Sequence, residues 1–370
     1  MTGQKQKSKE QILKGSGAIL AFFIGSGFAS GQEVLQFFGA YGTGRGMLGM
    51  GLSLFLLFLC IRRVLKDGVR LAYEDTSQIF SYYCGPYLGL FFKWMTPVFL
   101  FLSYSVMLSG SGALLQEYFG CQPQTGRLVM LVLSLGTVLL GLSRLTDIMG
   151  FLGPLIVALV FALGGICTWQ SSGNVWRTAE DVQAAGILGT AGSWWLSAVL
   201  YTGFSAMISL PFLSGLGQQL KEDRVRSLCA GFSSGAFLAG AALLCLGMLA
   251  NLEQIADKGV PAVFVAEQIL PGAGLLFAAV MFAGIYTTAV PMLWTVCNKI
   301  APKEHSLRFR AVAFGASLAA YLWGGADFSF LVGTVYPYIG YFGIAVMMCM
   351  VAKGFKMKHG KETKNASAEK

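Results

Sequence analysis

The chain has 370 residues, 55% of them hydrophobic and 12% charged, with a mean hydropathy of +0.63 and a net charge of +9. Soluble domains carry about 25% charged residues, so this chain cannot cover a water-facing surface and takes the bilayer as its solvent. Its two histidines, His305 and His359, lie in basic stretches and its eight cysteines show no C-x-x-C spacing, which argues against a histidine-based triad, a metal centre and an enzyme of either kind.

Continuous apolar stretches of about 17–25 residues are the unit that crosses a bilayer as helix. They fall near 15–39, 46–64, 88–114, 127–142, 148–168, 193–215, 228–250, 273–297, 309–324 and 329–351, which predicts an all-α integral membrane protein with about ten transmembrane helices. The runs do not alternate, so a barrel is excluded. The first is too long and too polar for a signal peptide, and no small-residue cleavage site follows it. Between the spans, 72–84 has the mixed polarity of an interfacial helix, and Thr178-Ala-Glu-Asp181 starts a short surface helix within 171–192. A helix bounded by Pro261 and Pro271 is placed across the outer mouth. Residues 1–352 make a single transmembrane domain, and 353–370 a basic cytoplasmic tail.

With both termini inside, this topology leaves only Arg45, Arg127, Arg177 and Lys258 of the 27 basic residues on the outer side. The positive-inside rule predicts such a bias for the correct number of spans. The net charge then faces anionic lipid and calls for no nucleic acid. Gly44-Arg-Gly46-Met-Leu-Gly49 matches a dinucleotide fingerprint but opens a spanning helix instead of following a strand, and no phosphate-binding loop occurs.

Two spans carry polar interruptions. The first reads Gly25-Ser-Gly-Phe-Ala-Ser-Gly-Gln-Glu33 across its middle. Glycine disfavours helix by about 1 kcal/mol against alanine, and a charge at this depth costs about 3 kcal/mol more. Gly27 and Gly31 form a small-xxx-small packing pair, which explains the glycines but not Gln32 and Glu33. The sixth span reads Tyr201-Thr-Gly-Phe-Ser-Ala-Met-Ile-Ser-Leu-Pro211. Gly27-Phe28-Ala29 aligns with Gly203-Phe204-Ser205, at the first helix of each half. Five spans per half is odd, so the second half (188–352) enters inverted relative to the first (10–170). Paired interrupted helices in inverted halves point to a transporter binding site. An unwound helix frees amides that suit a carboxylate and carbonyls that suit a cation, so a small zwitterion satisfies both.

The motif Gly25–Glu33 followed by Phe37-Phe38 resembles the first helix of the YkvI-type bacterial membrane proteins, of the amino acid–polyamine–organocation transporter superfamily. The resemblance implies a LeuT-like 5+5 inverted-repeat fold, with helices 1 and 6 interrupted, in the bacterial cytoplasmic membrane. It implies a secondary active transporter of an amino acid or related organic ion, with Na+ or H+ as coupling ion and no other cofactor. A substrate carboxylate would meet the amides of Gly25, Ser26 and Gly27, assisted by Tyr104 of the third helix, with Tyr201, Phe204 and Ser205 of the sixth lining the pocket. A sodium ion would take the carbonyls of Ala21 and Ile24 and the hydroxyls of Thr287 and Thr288, although threonines in lipid also bond back to their own helix. Glu33 is the proton-coupling candidate; the other role open to it is to accept hydrogen bonds from freed amides. A sensor or assembly factor that keeps the fold without transport is the alternative, and a channel is a weaker one because no charged or carbonyl ring repeats.

Overall fold

The computed structural model describes residues 2–140, 175–220, 222–269, 272–303 and 306–368, with a scatter of positions between 155 and 169. Helix is the regular structure throughout the described residues, with no strand among them. The first span is divided into α1 (Thr2–Phe23), α2 (Ser26–Ser30) and α3 (Gln32–Phe37). After a 3-10 turn come α4 (Gly42–Leu71) and α5 (Ile79–Phe119), then α6 (Pro123–Leu140). The fifth expected span, 148–168, lies mostly outside the described residues, as do Arg144 and Asp147 of the turn before it.

The surface helix α7 (Ala179–Ala184) starts where the sequence places it. Thr178 Oγ1 accepts from the Asp181 amide at 3.2 Å and the Thr178 amide donates to Asp181 Oδ2 at 2.8 Å, a reciprocal capping box. There follow α8 (Trp194–Gln219), α9 (Asp223–Ala250), the short α10 (Leu252–Ile255) and α11 (Pro261–Ile269), α12 (Ala273–Ile300), α13 (Leu307–Trp323) and α14 (Phe328–Ala368). Among the described residues seven helices are long and apolar enough to cross a membrane. One of them, Gln32–Leu71, joins α3 of the broken first span to α4; α1 is not among them, and neither is α13, which has 17 residues. The basic tail continues α14 as helix.

The interfacial segment is real but is joined to the third span. Gly85, at φ +79°, turns the chain sharply inside α5, and Pro86 opens the stretch that follows. The turn before Gly85 is anchored to α4: Asp67, 3% exposed, accepts from Arg63 Nε at 2.7 Å and from the Tyr83 hydroxyl at 2.8 Å.

Ahead of α5, burial alone would raise the Asp75 carboxyl. Hydrogen bonds from Lys93 and from the Ser77 hydroxyl and amide outweigh it and hold the group at about 2. A depressed carboxylate adds stability above its unfolded value, near 3.9, and loses it as pH falls from there towards 2. Lys93→Ala should therefore lower the stability at neutral pH, and with it the melting temperature, by no more than about 1 kcal/mol of free energy for this partly exposed pair. The difference from wild type should vanish below pH 2 in a melting series against pH.

The sixth span corrects the sequence expectation, because α8 runs unbroken from Trp194 to Gln219 with Pro211 inside it. Its polar residues are absorbed locally: Thr202 Oγ1 donates to the Ala198 carbonyl at 3.0 Å and Ser209 Oγ to that of Ala206 at 3.5 Å. Its glycines serve close approach. A Cβ on Gly203 would strike the Gly340 carbonyl of α14, and one on Gly217 the Leu65 carbonyl of α4. The helix is thus clamped between α4 and α14 by backbone-to-backbone contacts.

Candidate functional site

The break in the first span is built from backbone. The Ile24 amide makes the last helical bond, to the Leu20 carbonyl at 3.0 Å, and the Gly25 amide turns back to Phe23 at 3.1 Å. The Ala21 carbonyl thereby loses its helical donor. The backbone of Ser26 opens α2, while its side chain lies outside the described residues. Gly31, at φ +86°, swings α2 into α3, and a Cβ there would lie 2.5 Å from Met248 Sδ. Ser30 stitches the corner, donating to the Gly27 carbonyl at 2.9 Å and accepting from the Gln32 amide at 3.2 Å.

The polar residues after the break are buried in protein, not in lipid. Gln32 donates to the Lys258 carbonyl at 2.8 Å, and Gln36 to the Ser329 carbonyl at 3.0 Å and to Gln32 Oε1 at 3.1 Å. These bonds tie α3 to the segment before α11 and to the start of α14. The helix expected across the outer mouth, α11, packs on α2. On the other side of the break, Phe22 stacks on Phe212 with centroids 4.6 Å apart.

Between these closures lies a cavity of about 20 Å³, enough for a single water. Gly25, Phe23 and Glu33 form one wall, and Glu33 is 4% exposed. The facing helices contribute residues one turn apart: Ser103 and Met107 from α5, Phe204, Ser205 and Ile208 from α8, Thr288 and Met292 from α12. Tyr336 of α14 completes it, its ring stacked on Phe204 at 4.3 Å. A Cβ on Gly27 would press on Glu33 Oε2 and on the Tyr336 ring, so Gly27 lets the carboxyl reach the cavity. Tyr201, packed among Phe37, Phe38 and Phe237, points its hydroxyl at the Glu33 carboxyl without closing a well-formed hydrogen bond.

The expected residues Gly25, Phe204 and Ser205 meet at this cavity, with Gly27 and Tyr201 just behind Glu33. Tyr104 does not reach it: the hydroxyl turns the other way, 2.7 Å from Ser134 Oγ of α6. Its neighbour Ser103 takes that wall, with Met107 on the same face one turn on. The expected cation donors partly converge. Thr288 Oγ1 donates to the Ile24 carbonyl at 3.1 Å and to the Gly284 carbonyl at 3.0 Å, and Thr287 Oγ1 donates to Gly284 at 3.0 Å. Gly284, unremarked in the sequence, is the carbonyl on which both threonines meet.

No family model matches the chain. It is 23% identical over 358 residues to YkvI, a membrane protein of Bacillus subtilis (strain 168), covering 92% of this chain and 96% of that protein. It is 25% identical over 342 residues to YyaD of the same organism, covering 90% and 94%. The chain is thus similar to YkvI and YyaD along nearly the whole of each. Among solved structures, the chain resembles MhsT in complex with L-phenylalanine, with a TM-score of 0.63 at 15% identity over 92% of this chain and 91% of that one. It also resembles a mutant of the Eremococcus coleocola manganese transporter, with a TM-score of 0.52 at 14% identity over 93% and 78%. These likenesses show the fold, which is the LeuT-like one.

Proposed function

We propose that the chain is a secondary active transporter of a small organic solute, an amino acid or a related zwitterion or organic ion. It works by alternating access in the bacterial cytoplasmic membrane, with both termini inside and Na+ or H+ as coupling ion. The observation that carries this reading is the broken first helix facing a small cavity, with a buried carboxyl, Glu33, in its wall. A break at membrane depth is tolerated where it is buried in protein or lines a cavity, and here it does both. The outer closure through Gln32 and Lys258 and the inner stack of Phe22 on Phe212 are the contacts that would open in turn.

In this reading the solute lies between the amides of Gly25, Ser26 and Gly27 and the wall formed by Phe204 and Ser205. The carbonyls of Ala21, Ile24 and Gly284 with the hydroxyls of Thr287 and Thr288 are neutral oxygen donors, the set a hard cation such as Na+ prefers. Glu33 is the group that would carry a proton.

Uptake into proteoliposomes tests the class, because a coupled transporter concentrates solute against its gradient and a channel does not. Thr288→Val keeps the side-chain shape and removes the hydroxyl between α1 and α12. It is expected to cut Na+-driven uptake at least tenfold, about 1.4 kcal/mol, with the Na+ dependence of the residual uptake shifted to higher concentration. Unchanged Na+ dependence in this variant would remove the threonines from the coupling site.

A further inference from the structure

Deepening that reading, and resting on it for the identity of the site, the lining of the cavity says which end of a solute it recognises. Among the described residues the wall holds one charged group, Glu33, and no lysine, arginine or histidine. None of the described ion pairs involves Glu33. A buried carboxylate without a positive partner is strongly unfavourable, so Glu33 in its charged form calls for a cation. A second observation points the same way: Ser103, fully buried on the opposite wall, has a hydroxyl with no hydrogen-bond partner. Buried hydroxyls are normally satisfied, and this one belongs to a residue that lines the cavity. The remaining surface is aromatic and thioether: the stacked rings of Phe204 and Tyr336, with Met107 and Met292. Aromatic faces attract a desolvated cation, and methionines yield to a small apolar body.

We propose that the cavity selects a small organic ammonium compound, whose ammonium group pairs with Glu33 and bonds to the Ser103 hydroxyl. Its short apolar body displaces the Met107 and Met292 side chains beside Phe204. The recognition element is the amine; a carboxylate on the same molecule is tolerated at the Gly25–Gly27 amides but is not required.

The test is thermal unfolding of the purified full chain with four matched probes: isobutylammonium, L-valine, isobutyramide and isobutyrate. Isobutylammonium and L-valine are expected to raise the melting temperature with dissociation constants at least tenfold below that of isobutyramide, and isobutyrate to have no effect. Ser103→Ala should weaken isobutylammonium severalfold, and Glu33→Gln should abolish its effect. The wild-type ranking alone decides the matter if that variant fails to fold. Isobutyramide or isobutyrate stabilising as well as isobutylammonium overturns the proposal, as does the absence of any shift with both ammonium probes. Uptake of the same probes into proteoliposomes separates the two claims. Binding of isobutylammonium without uptake leaves the ammonium site standing and overturns transport. Concentrative uptake of isobutyrate in preference leaves transport standing and overturns the ammonium site.

Discussion

Glu33→Gln is expected to abolish coupled solute uptake by the reconstituted protein, a loss of about 100-fold or more, while the variant purifies and elutes as the wild type does. The two side chains have nearly the same volume, and the amide can still accept from its neighbours, so the packing of α3 against the Tyr336 ring and Gly27 is retained. What disappears is the one charge in the cavity wall. Removing one member of a buried charge pair costs about 3–5 kcal/mol, and each 1.4 kcal/mol is a factor of ten. The same loss is expected whether the carboxyl is neutralised by a proton or by the ammonium of a solute, because both need the charge. Glu33→Asp keeps the charge but draws it back by one methylene, and should fall between the two. Uptake in Glu33→Gln at the wild-type rate and with the wild-type pH dependence would overturn any coupling role for this residue.

Glu33 was legible in the sequence because its cost was legible. A run of glycines with a glutamine and a glutamate has no cheap place in hydrocarbon, so the reading that it is buried beside a cavity follows from the price of the alternative. The sixth span shows where the same argument fails. Glycine has two uses, to free the backbone and to let backbones touch, and Gly203 is put to the second. The hydroxyls of Thr202 and Ser209 are returned to carbonyls of their own helix, so the polar residues beside it signal no break. Tyr104 lies away from the cavity for a different reason. The third span carries Ser103, Ser105, Ser109 and Ser111 on several sides, so no single polar face fixes its rotation, and a one-residue step turns a side chain by about 100°. The chemistry of a tyrosine drew the expectation to Tyr104, while the helix phase presents Ser103 and Met107. Tyr336 left no signal beyond a tyrosine ahead of Pro337, because what gives it meaning is the Phe204 ring, more than a hundred residues away in the chain.

Gly343→Ala is the substitution expected to be most damaging to the fold. On α14, Tyr336, Gly340 and Gly343 follow one another at four and then three residues, which puts them on one face. That face lies against α8, where a Cβ on Gly343 would overlap the Gly203 carbonyl and one on Gly340 the Leu200 carbonyl. The obstacle is main chain, which cannot rotate aside as a side chain does. Overpacking of this kind typically costs about 1–3 kcal/mol and sometimes more, and the crossing leaves no slack, so about 3 kcal/mol or above is expected. Gly315→Ala in α13 is the control: nothing lies within 4 Å of its added Cβ, and alanine favours helix by about 1 kcal/mol over glycine. Melting temperatures of the detergent-solubilised variants should therefore move in opposite directions, and equal values would overturn the assignment of the crossing. The consequence reaches the site, because Phe204 adjoins Gly203 on α8 and stacks on Tyr336 of α14. The glycine crossing sets the separation of the helices that carry those rings. A Gly343→Ala protein that still folds should consequently bind any solute of the cavity more weakly, even though Gly343 touches none of it.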